Sequence, residues 1–405
     1  MDNSRKMLKS DIAVIGAGIQ GLSCALQLSR AGRRVIVVDR GSPFREASGV
    51  NAGSISVQIL DPSMWPYAAE SIRLWDDLSN EFGRGFRIKK LGGLRVASSV
   101  QEAEALKASI EPLRSAGLSV DWLPRDDETF PSWLCSSLAG ASFCKQEGAL
   151  DPLQAGLAYV RMLSHQGIAL MQNTPILDIT RLPSGYLLHS AGRDIHCEQV
   201  LIAAGAWTST VSSMLGADFD IDLMINMLTI TERAPIFIDR LVTHTQRNLT
   251  IKQQTNGTCL IGGGWQGEGT LLGEEKALSL PRLQRNIRHA FAAVPPLARL
   301  QAVRMWSGYE GATKDELPVL GRVPGHDDAY VLGCARAGFT MGPILSRLVC
   351  DLMLGRTPPL PIDRFSPIRL LKEKCKNDHA PSHRSPHEPH RDPQRHDLSG
   401  GTGCR

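Results

Sequence analysis

The chain has 405 residues, 42% hydrophobic and 21% charged, with a formal net charge of +4. That length supports one large domain or two intimate ones with ample core, and so small and dispersed a charge gives no reason to expect a nucleic-acid partner. No apolar run approaches the ~18 residues of a membrane span and MDNSRKMLKS lacks the apolar core of a secretory signal, so a cytoplasmic protein is expected, at most peripheral to an inner membrane.

The first informative stretch is DIAVIGAGIQGLSCALQLSRAGRRVIVVD, Asp11 to Asp39. Ile12 to Ile15 read as a buried strand, Leu22 to Ala31 as a helix and Arg34 to Val38 as a second strand. Between them Gly16, Gly18 and Gly21, with Ala17, Ile19 and Gln20 interleaved, make G-x-G-x-x-G. Gly16 permits the tight turn, Gly18 lets backbone approach a pyrophosphate, and Gly21 lets the helix pack close to the strand. The helix N-terminus offers unpaired N–H groups to phosphate. Asp39 follows Gly21 by 18 residues, near the spacing at which a carboxylate meets a ribose hydroxyl. It would repel a 2′-phosphate, so FAD or NAD is expected rather than NADP.

Next, Ser48, Gly49, Asn51, Ala52, Gly53 and Ser54 form a small polar loop suited to lie flat on a ligand. Pro62 to Phe82 reads as a helix, with Trp65 and Trp75 in its core stripe. Gly92 to Val96 reads as a strand and Gln101 to Ala116 as a helix. GALDP places Asp151 as N-cap and Pro152 in the first turn of a helix running to His165. Short strands follow at Ile168–Met171, Ile176–Thr180 and Tyr186–Ser190. QVLIAAGAW, Gln199 to Trp207, is a buried strand ending in small residues, where a ligand or another backbone approaches closely. Met224 to Gly264 is β-rich and reads as an antiparallel sheet. Glu274 to Ala293 reads as a helix stopped by Pro295. Tyr330 to Gly333 is a strand, and Gly338, Phe339 and Thr340 open a last helix. After Leu371 the chain turns rich in Pro, His, Arg and Ser and reads as a disordered extension. The nine cysteines are scattered and never form C-x-x-C, so neither a metal site nor a disulfide framework is expected. Hydrolase and NTPase motifs are absent from the sequence.

Four blocks, GAGIQG with Asp39, ASGVNAGSI, LIAAGAW, and GYEGATKDELPVLGR followed by YVLGCARAGFTMGP, together resemble the D-amino-acid oxidase/sarcosine oxidase-like superfamily of FAD-dependent amine oxidoreductases. The nearest likeness is to glycine oxidase-like enzymes and to the β subunits of sarcosine oxidase, opine oxidase and hydroxyproline dehydrogenase. The resemblance implies an α/β chain: a glutathione-reductase-type, Rossmann-like FAD domain from residues 1–90, 148–215 and 311–371, and a mixed or antiparallel-sheet substrate domain from 91–147 and 216–310. Residues 372–405 would be the basic tail. It also implies noncovalent FAD. Gly16, Gly18, Ile19 and Gly21 would meet the pyrophosphate, Asp39 and Arg40 the adenosine end, and Ser48, Asn51, Ala52 and Gly53 the flavin and ribityl chain. Ile176 would offer backbone to adenine. Ala204, Gly205 and Trp207 would close over the cofactor, and Gly338, Phe339 and Thr340 would sit at the flavin edge.

The chain departs from that family pattern where a substrate would bind. Glu310 stands where glycine oxidase-like enzymes carry a carboxylate-clamping arginine. Gly308 stands where monomeric sarcosine oxidases carry the flavin-linked cysteine, and Thr340 replaces their carboxylate-binding lysine. Glu310, Tyr309 and Arg336 are the catalytic candidates, with Arg240, Arg247, Arg304 and Arg336 as candidate carboxylate anchors. The expected substrate is an amine or amino acid oxidised at its C–N bond. Alternatives are a polypeptide active only with hetero-oligomeric partners, or a non-catalytic flavoprotein.

Overall fold

The structure, a computed structural model, describes residues 7–372 apart from 84, 85 and 87; the C-terminal extension lies outside the described residues. Its first layer is an eight-stranded, mainly parallel sheet whose main path runs Val319–Arg322, Ala329–Gly333, Ile195–Ile202, Leu8–Ile15, Val35–Val38, Ala169–Met171; Val319–Arg322 runs antiparallel to its neighbour, and off this path Tyr186–Ser190 pairs antiparallel with both Ile195–Ile202 and Ile176–Arg181. Leu8–Ile15 is central, with parallel partners on both sides, Ile15 opposite Ile202 and Val38. A strand covered on both faces must be apolar at every position. Ile12 and Val14 pack into one layer with the helices Ile19–Arg30 and Gly338–Met353, and Ala13 and Ile15 into the opposite layer. The two helices touch closely: a Cβ on Gly342 would lie 2.8 Å from Ile19 Cγ1.

The second layer is an eight-stranded mixed sheet, in order Ala302–Ala312, Asp222–Arg233, Thr258–Gly262, Thr250–Gln253, Leu241–His244, Gly93–Ala97, Gly140–Cys144, Val120–Pro124. Only Leu241–His244 and Gly93–Ala97 pair in parallel, Thr243 opposite Arg95. Side chains alternate between faces. Leu94, Val96, Ile251 and Ile261 pack on one face with Ala290 and Ala293 of the helix Leu280–Ala293. The alternate residues, Arg95 among them, point toward the first layer, where Arg95 Nη1 donates to the Gln58 carbonyl.

One fully buried carboxylate joins the layers. Glu147 Oε1 accepts from Val57 N at 2.7 Å and Gln58 N at 2.9 Å, and Oε2 accepts from Gln58 Nε2 at 3.2 Å. Gln58 in turn donates to Gly93 O at 3.1 Å and accepts from Ser142 Oγ at 2.6 Å.

The helix expected from Glu274 starts at Leu280 instead, and Glu275–Ala277 forms a strand paired with Glu268–Thr270. Pro281 explains the shift, since a proline in the first turn lacks only an N–H that has no partner there anyway. Trp65 and Trp75 are buried as expected. Among the described residues no helix is long and apolar enough to cross a membrane.

His244, 4% exposed, shows how the second layer responds to acid. Its Nδ1 accepts from the backbone N–H groups of Gln246 and Arg247 at 3.1 and 3.2 Å. Nε2 therefore carries the proton and lies 2.8 Å from Ser98 Oγ. Burial lowers its pKa from 6.5 to about 4. The unfolded chain thus binds a proton near pH 6.5 that the folded chain refuses until about 4, so stability falls as pH drops through that window. We expect His244 to contribute about 2 kcal/mol of lost stability between pH 7.5 and 5. Urea denaturation of the native chain and of His244→Gln at both pH values checks this, the variant showing the smaller loss.

Candidate functional site

The strand ends of the first layer meet at the glycine turn. Gly16 has φ +113°, and a Cβ there would lie 2.2 Å from the Ala203 carbonyl oxygen. A Cβ on Gly21 would lie 1.9 Å from the Gly16 carbonyl oxygen. These positions admit no side chain, because backbone cannot swing aside. Asp39 braces the turn: Oδ2 accepts from Ala17 N at 2.6 Å and Oδ1 from Gly41 N at 2.7 Å. A carboxylate has about four lone-pair sites, so acceptor capacity remains for a ribose hydroxyl.

The polar loop closes over the same turn. Ser48 Oγ accepts from Ile19 N at 2.9 Å and stands over Gly18. Asn51 Nδ2 donates to the Ala47 and Ser48 carbonyls, and Asn51 Oδ1 accepts from Gly53 N at 2.6 Å. Gly53, at φ +63°, leaves no room for a Cβ beside the Leu150 carbonyl; Ala52, between Asn51 and Gly53, is half-buried. Across the cleft, open space adjoins Gly205, which with Ala204 and Trp207 follows the strand Ile195–Ile202. Arg40 stacks over the Trp207 ring at 4.4 Å and pairs with Glu274. Ile176 opens the strand Ile176–Arg181.

Gly338 and Phe339 open the last helix after Ala337, which is left-handed at φ +51°. Thr340 is held by the fold. Its hydroxyl lies 3.2 Å from Ser54 O and 3.3 Å from Ser56 N, and its carbonyl accepts from Ser71 Oγ and Trp75 Nε1. These bonds seat the helix N-terminus against the segment that continues the polar loop. The cradle fits a dinucleotide: backbone faces are kept bare by glycine, and Gln20 Nε2 and Ser54 Oγ beside it are buried without a partner.

The catalytic candidates separate. Tyr309 is 2% exposed and its hydroxyl lies within hydrogen-bond distance of the Thr270 and Glu275 carbonyls, at 2.9 and 2.8 Å. It is committed to the main chain and packs edge-on against Trp207. Glu310 accepts from Asn226 Nδ2. Burial raises its pKa to about 6, against the lowering pull of Asn226 and Arg336. Arg336 itself pairs with Glu316.

The candidate arginines fare unequally. Arg304 is exposed, Arg240 lies over the Phe143 ring at 5.1 Å, and Arg247 lies beside His244 on the helix side of the sheet. Arg95, absent from those expectations, stands on the inward face. Its Nε is buried without a partner, and it forms no ion pair among the described residues. Burial lowers its pKa, with Glu147 opposing and Arg336 adding to the effect. Lys252, on the same face, is also buried, and its pKa falls to about 8. A lone arginine between Leu94 and Val96 in a short apolar strand was the available signal for Arg95. It is indistinguishable from a solvent-facing position until the strand is known to be internal. Among the described residues no group of His, Cys, Asp and Glu is arranged to hold a metal ion.

Comparison with known proteins follows the same outline. The profile of the FAD dependent oxidoreductase family, DAO, matches residues 11–352. The chain is 26% identical over 373 residues to a glycine oxidase of Geobacillus kaustophilus, covering 89% of this chain and 97% of the other. It is 23% identical over 385 residues to the beta chain of the sarcosine oxidase of Rhizobium meliloti, covering 90% of each. The crystal structure of glycine oxidase from Geobacillus kaustophilus superposes with a TM-score of 0.82 at 25% identity, covering 90% of this chain and 100% of that one.

Proposed function

The chain belongs to the DAO family of FAD-dependent oxidoreductases, and from that premise we propose that it oxidises the C–N bond of an amino acid or secondary amine. The observation that carries the reading is the place of Glu310, a half-buried acid on the strand Ala302–Ala312, whose Gly308 and Gly311 abut Val50 of the polar loop and the Gly205 carbonyl. An acid beside the cofactor cleft suits a substrate nitrogen.

When bound, FAD supplies the oxidant, taking a hydride from the carbon beside nitrogen and leaving an imine that water hydrolyses. The chain's own residues hold and orient. In this reading Gly16, Ala17, Gly18, Ile19, Gln20 and Gly21 cradle the pyrophosphate, and Asp39 and Arg40 flank the adenosine end. Ser48, Asn51, Ala52 and Gly53 line the flavin side, with Ile176, Ala204, Gly205, Trp207, Gly338 and Phe339 closing the cleft. Thr340 acts indirectly, by fixing the helix end. Glu310, mostly ionised at neutral pH given its value of about 6, holds the substrate nitrogen. No second acid–base group is required, because the cofactor carries the bond-breaking step. Gly308 leaves no thiol for a covalent flavin link; a Cβ there would lie 2.0 Å from Val50 Cγ2. The seven described cysteines are free thiols, in keeping with the reducing cytoplasm in which we place the protein.

The test is the visible spectrum of the purified chain, followed by anaerobic addition of glycine, sarcosine and L-proline. Flavin bands that bleach with one of them are the expected result. Bands that stay unchanged with all three overturn the stand-alone amino-acid reading. A polypeptide that needs partners, as the likeness to one chain of a sarcosine oxidase suggests, would then be favoured.

A further inference from the structure

Arg95 poses a physical problem. A guanidinium has five N–H donors and no way to shed its charge, and burying it costs free energy unless it is paired and hydrogen-bonded. Here Nη1 donates to the Gln58 carbonyl, Nε is buried without a partner, and no carboxylate among the described residues pairs with it. Glu147, the buried acid of the layer contact, is already taken by three N–H groups of Val57 and Gln58. Arg336 has Glu316 as its partner. Arg95 is therefore a cation on the inward face left without a counter-ion, and Gln58, whose carbonyl it holds, lies two residues after Ser56, whose N–H meets the Thr340 hydroxyl at the start of the last helix. Lys252, on the same face, differs in that an ammonium can shed its charge, and burial lowers its pKa to about 8.

Position in the sheet supports the same conclusion. Arg95 lies opposite Thr243, which lies opposite Thr250, which lies opposite Gly262. The row on which its side chain rests continues through two threonines to Gly262, which Leu228 covers. Its main chain is fixed on both sides, by Thr243 and by Ser142, and its charge is thereby presented from a rigid element.

We propose that Arg95 is the carboxylate anchor of this chain's substrate, which restricts that substrate to amino or imino acids and excludes simple amines. The proposal rests on the amino-acid reading above. It assigns the anchor to the Gly93–Ala97 strand and leaves Glu310 for the nitrogen, so the two ends of a zwitterion are held from different strands. Arg suits the task because its planar fork matches a carboxylate in two parallel hydrogen bonds.

The experiment uses the flavin-loaded full chain and reads binding rather than turnover. Acetate, a carboxylate without an amine, is titrated while the flavin absorption bands are followed, with acetamide as the neutral control. In the native chain acetate is expected to shift the bands saturably and acetamide to leave them unchanged. In Arg95→Met the acetate affinity should fall on the order of 30-fold or more, as when one partner of a buried charge pair is removed, with flavin content kept. Arg95→Lys should recover part of the affinity, and guards against a failure of the Met variant to fold. Equal acetate affinity in the native chain and either variant overturns the proposal, as does a native chain whose bands never respond. If acetate binding depends on Arg95 but no amino acid bleaches the flavin, the anchor stands and the oxidase reading fails. If an amino acid bleaches the flavin with the same KM in Arg95→Met, the oxidase reading stands and the anchor fails.

Discussion

Gly16→Ala is expected to yield a chain that no longer retains FAD. The added Cβ would lie 2.2 Å from the Ala203 oxygen, 2.7 Å from its carbonyl carbon and 3.3 Å from Ala204 Cα. All three are backbone atoms, and Ala203 is itself fixed by a 2.8 Å hydrogen bond from its N–H to Ile15 O. Relief must come from parting the glycine turn from the segment Ala203-Ala204-Gly205, the two walls of the cleft proposed above to hold the nucleotide. The φ of +113° adds backbone strain to the clash. Together these should weaken FAD retention by ~100-fold or more, read as the ratio of flavin to protein absorbance after gel filtration. Gly32→Ala is the control. Gly32 has a comparable φ of +83° but nothing within 4 Å of the new Cβ, so it should lose a little stability and keep its flavin. A Gly16→Ala chain with full flavin content would show that the cleft does not hold the cofactor.

Glu147→Ala should be the most destabilising single change in the contact between layers. It strips the acceptor from two buried backbone N–H groups and from the Gln58 amide. It also leaves Arg95 with less opposing charge. Breaking a buried network of this kind costs about 3–5 kcal/mol. Glu147→Gln keeps one acceptor oxygen and should cost less. The fit around the acid is tight, a Cβ on Gly93 falling 1.7 Å from Oε2, so no neighbouring side chain moves in to substitute. Urea denaturation of the three chains checks the order; an alanine variant within about 1 kcal/mol of native would remove Glu147 from the account of how the layers are joined.

The residues that were legible in the sequence are those whose constraints are local. A strand, a glycine turn, a helix and an acid lie within Asp11–Asp39, and each is recognised by its neighbours in the chain. The second layer was legible only as β structure. That Gly93–Ala97 pairs in parallel with Leu241–His244 depends on contacts nearly 150 residues apart, which no periodicity encodes. Arg95 was missed for that reason, since its burial is a property of the assembled sheet. Glu147 carries no local signal, because nothing in the neighbouring sequence distinguishes a carboxylate that caps a loop from one that joins two layers. Glu310 was legible as a departure from a known pattern, and its partner Asn226 was not, being set by cross-strand pairing. The start of the helix Leu280–Ala293 was misplaced because Glu274–Leu278 has helical composition, whereas Pro281 sets the first turn.

The central position of Leu8–Ile15 has a consequence in time. Its parallel neighbour Ile202 comes 187 residues after Ile15, and at ~5–20 residues per second a ribosome needs about 10–40 s to deliver it. Throughout that interval an apolar strand built for cover on both faces has at most Val35–Val38 and, later, its short neighbour Ala169–Met171 to extend the sheet. The helix that packs on Ile19–Arg30 emerges later still, at Gly338–Met353. The nascent chain thus carries this apolar strand without its full cover until Gly338–Met353 has been made. Cofactor capture becomes a late event, and yield in the cell depends on whatever shelters residues 8–38 until then.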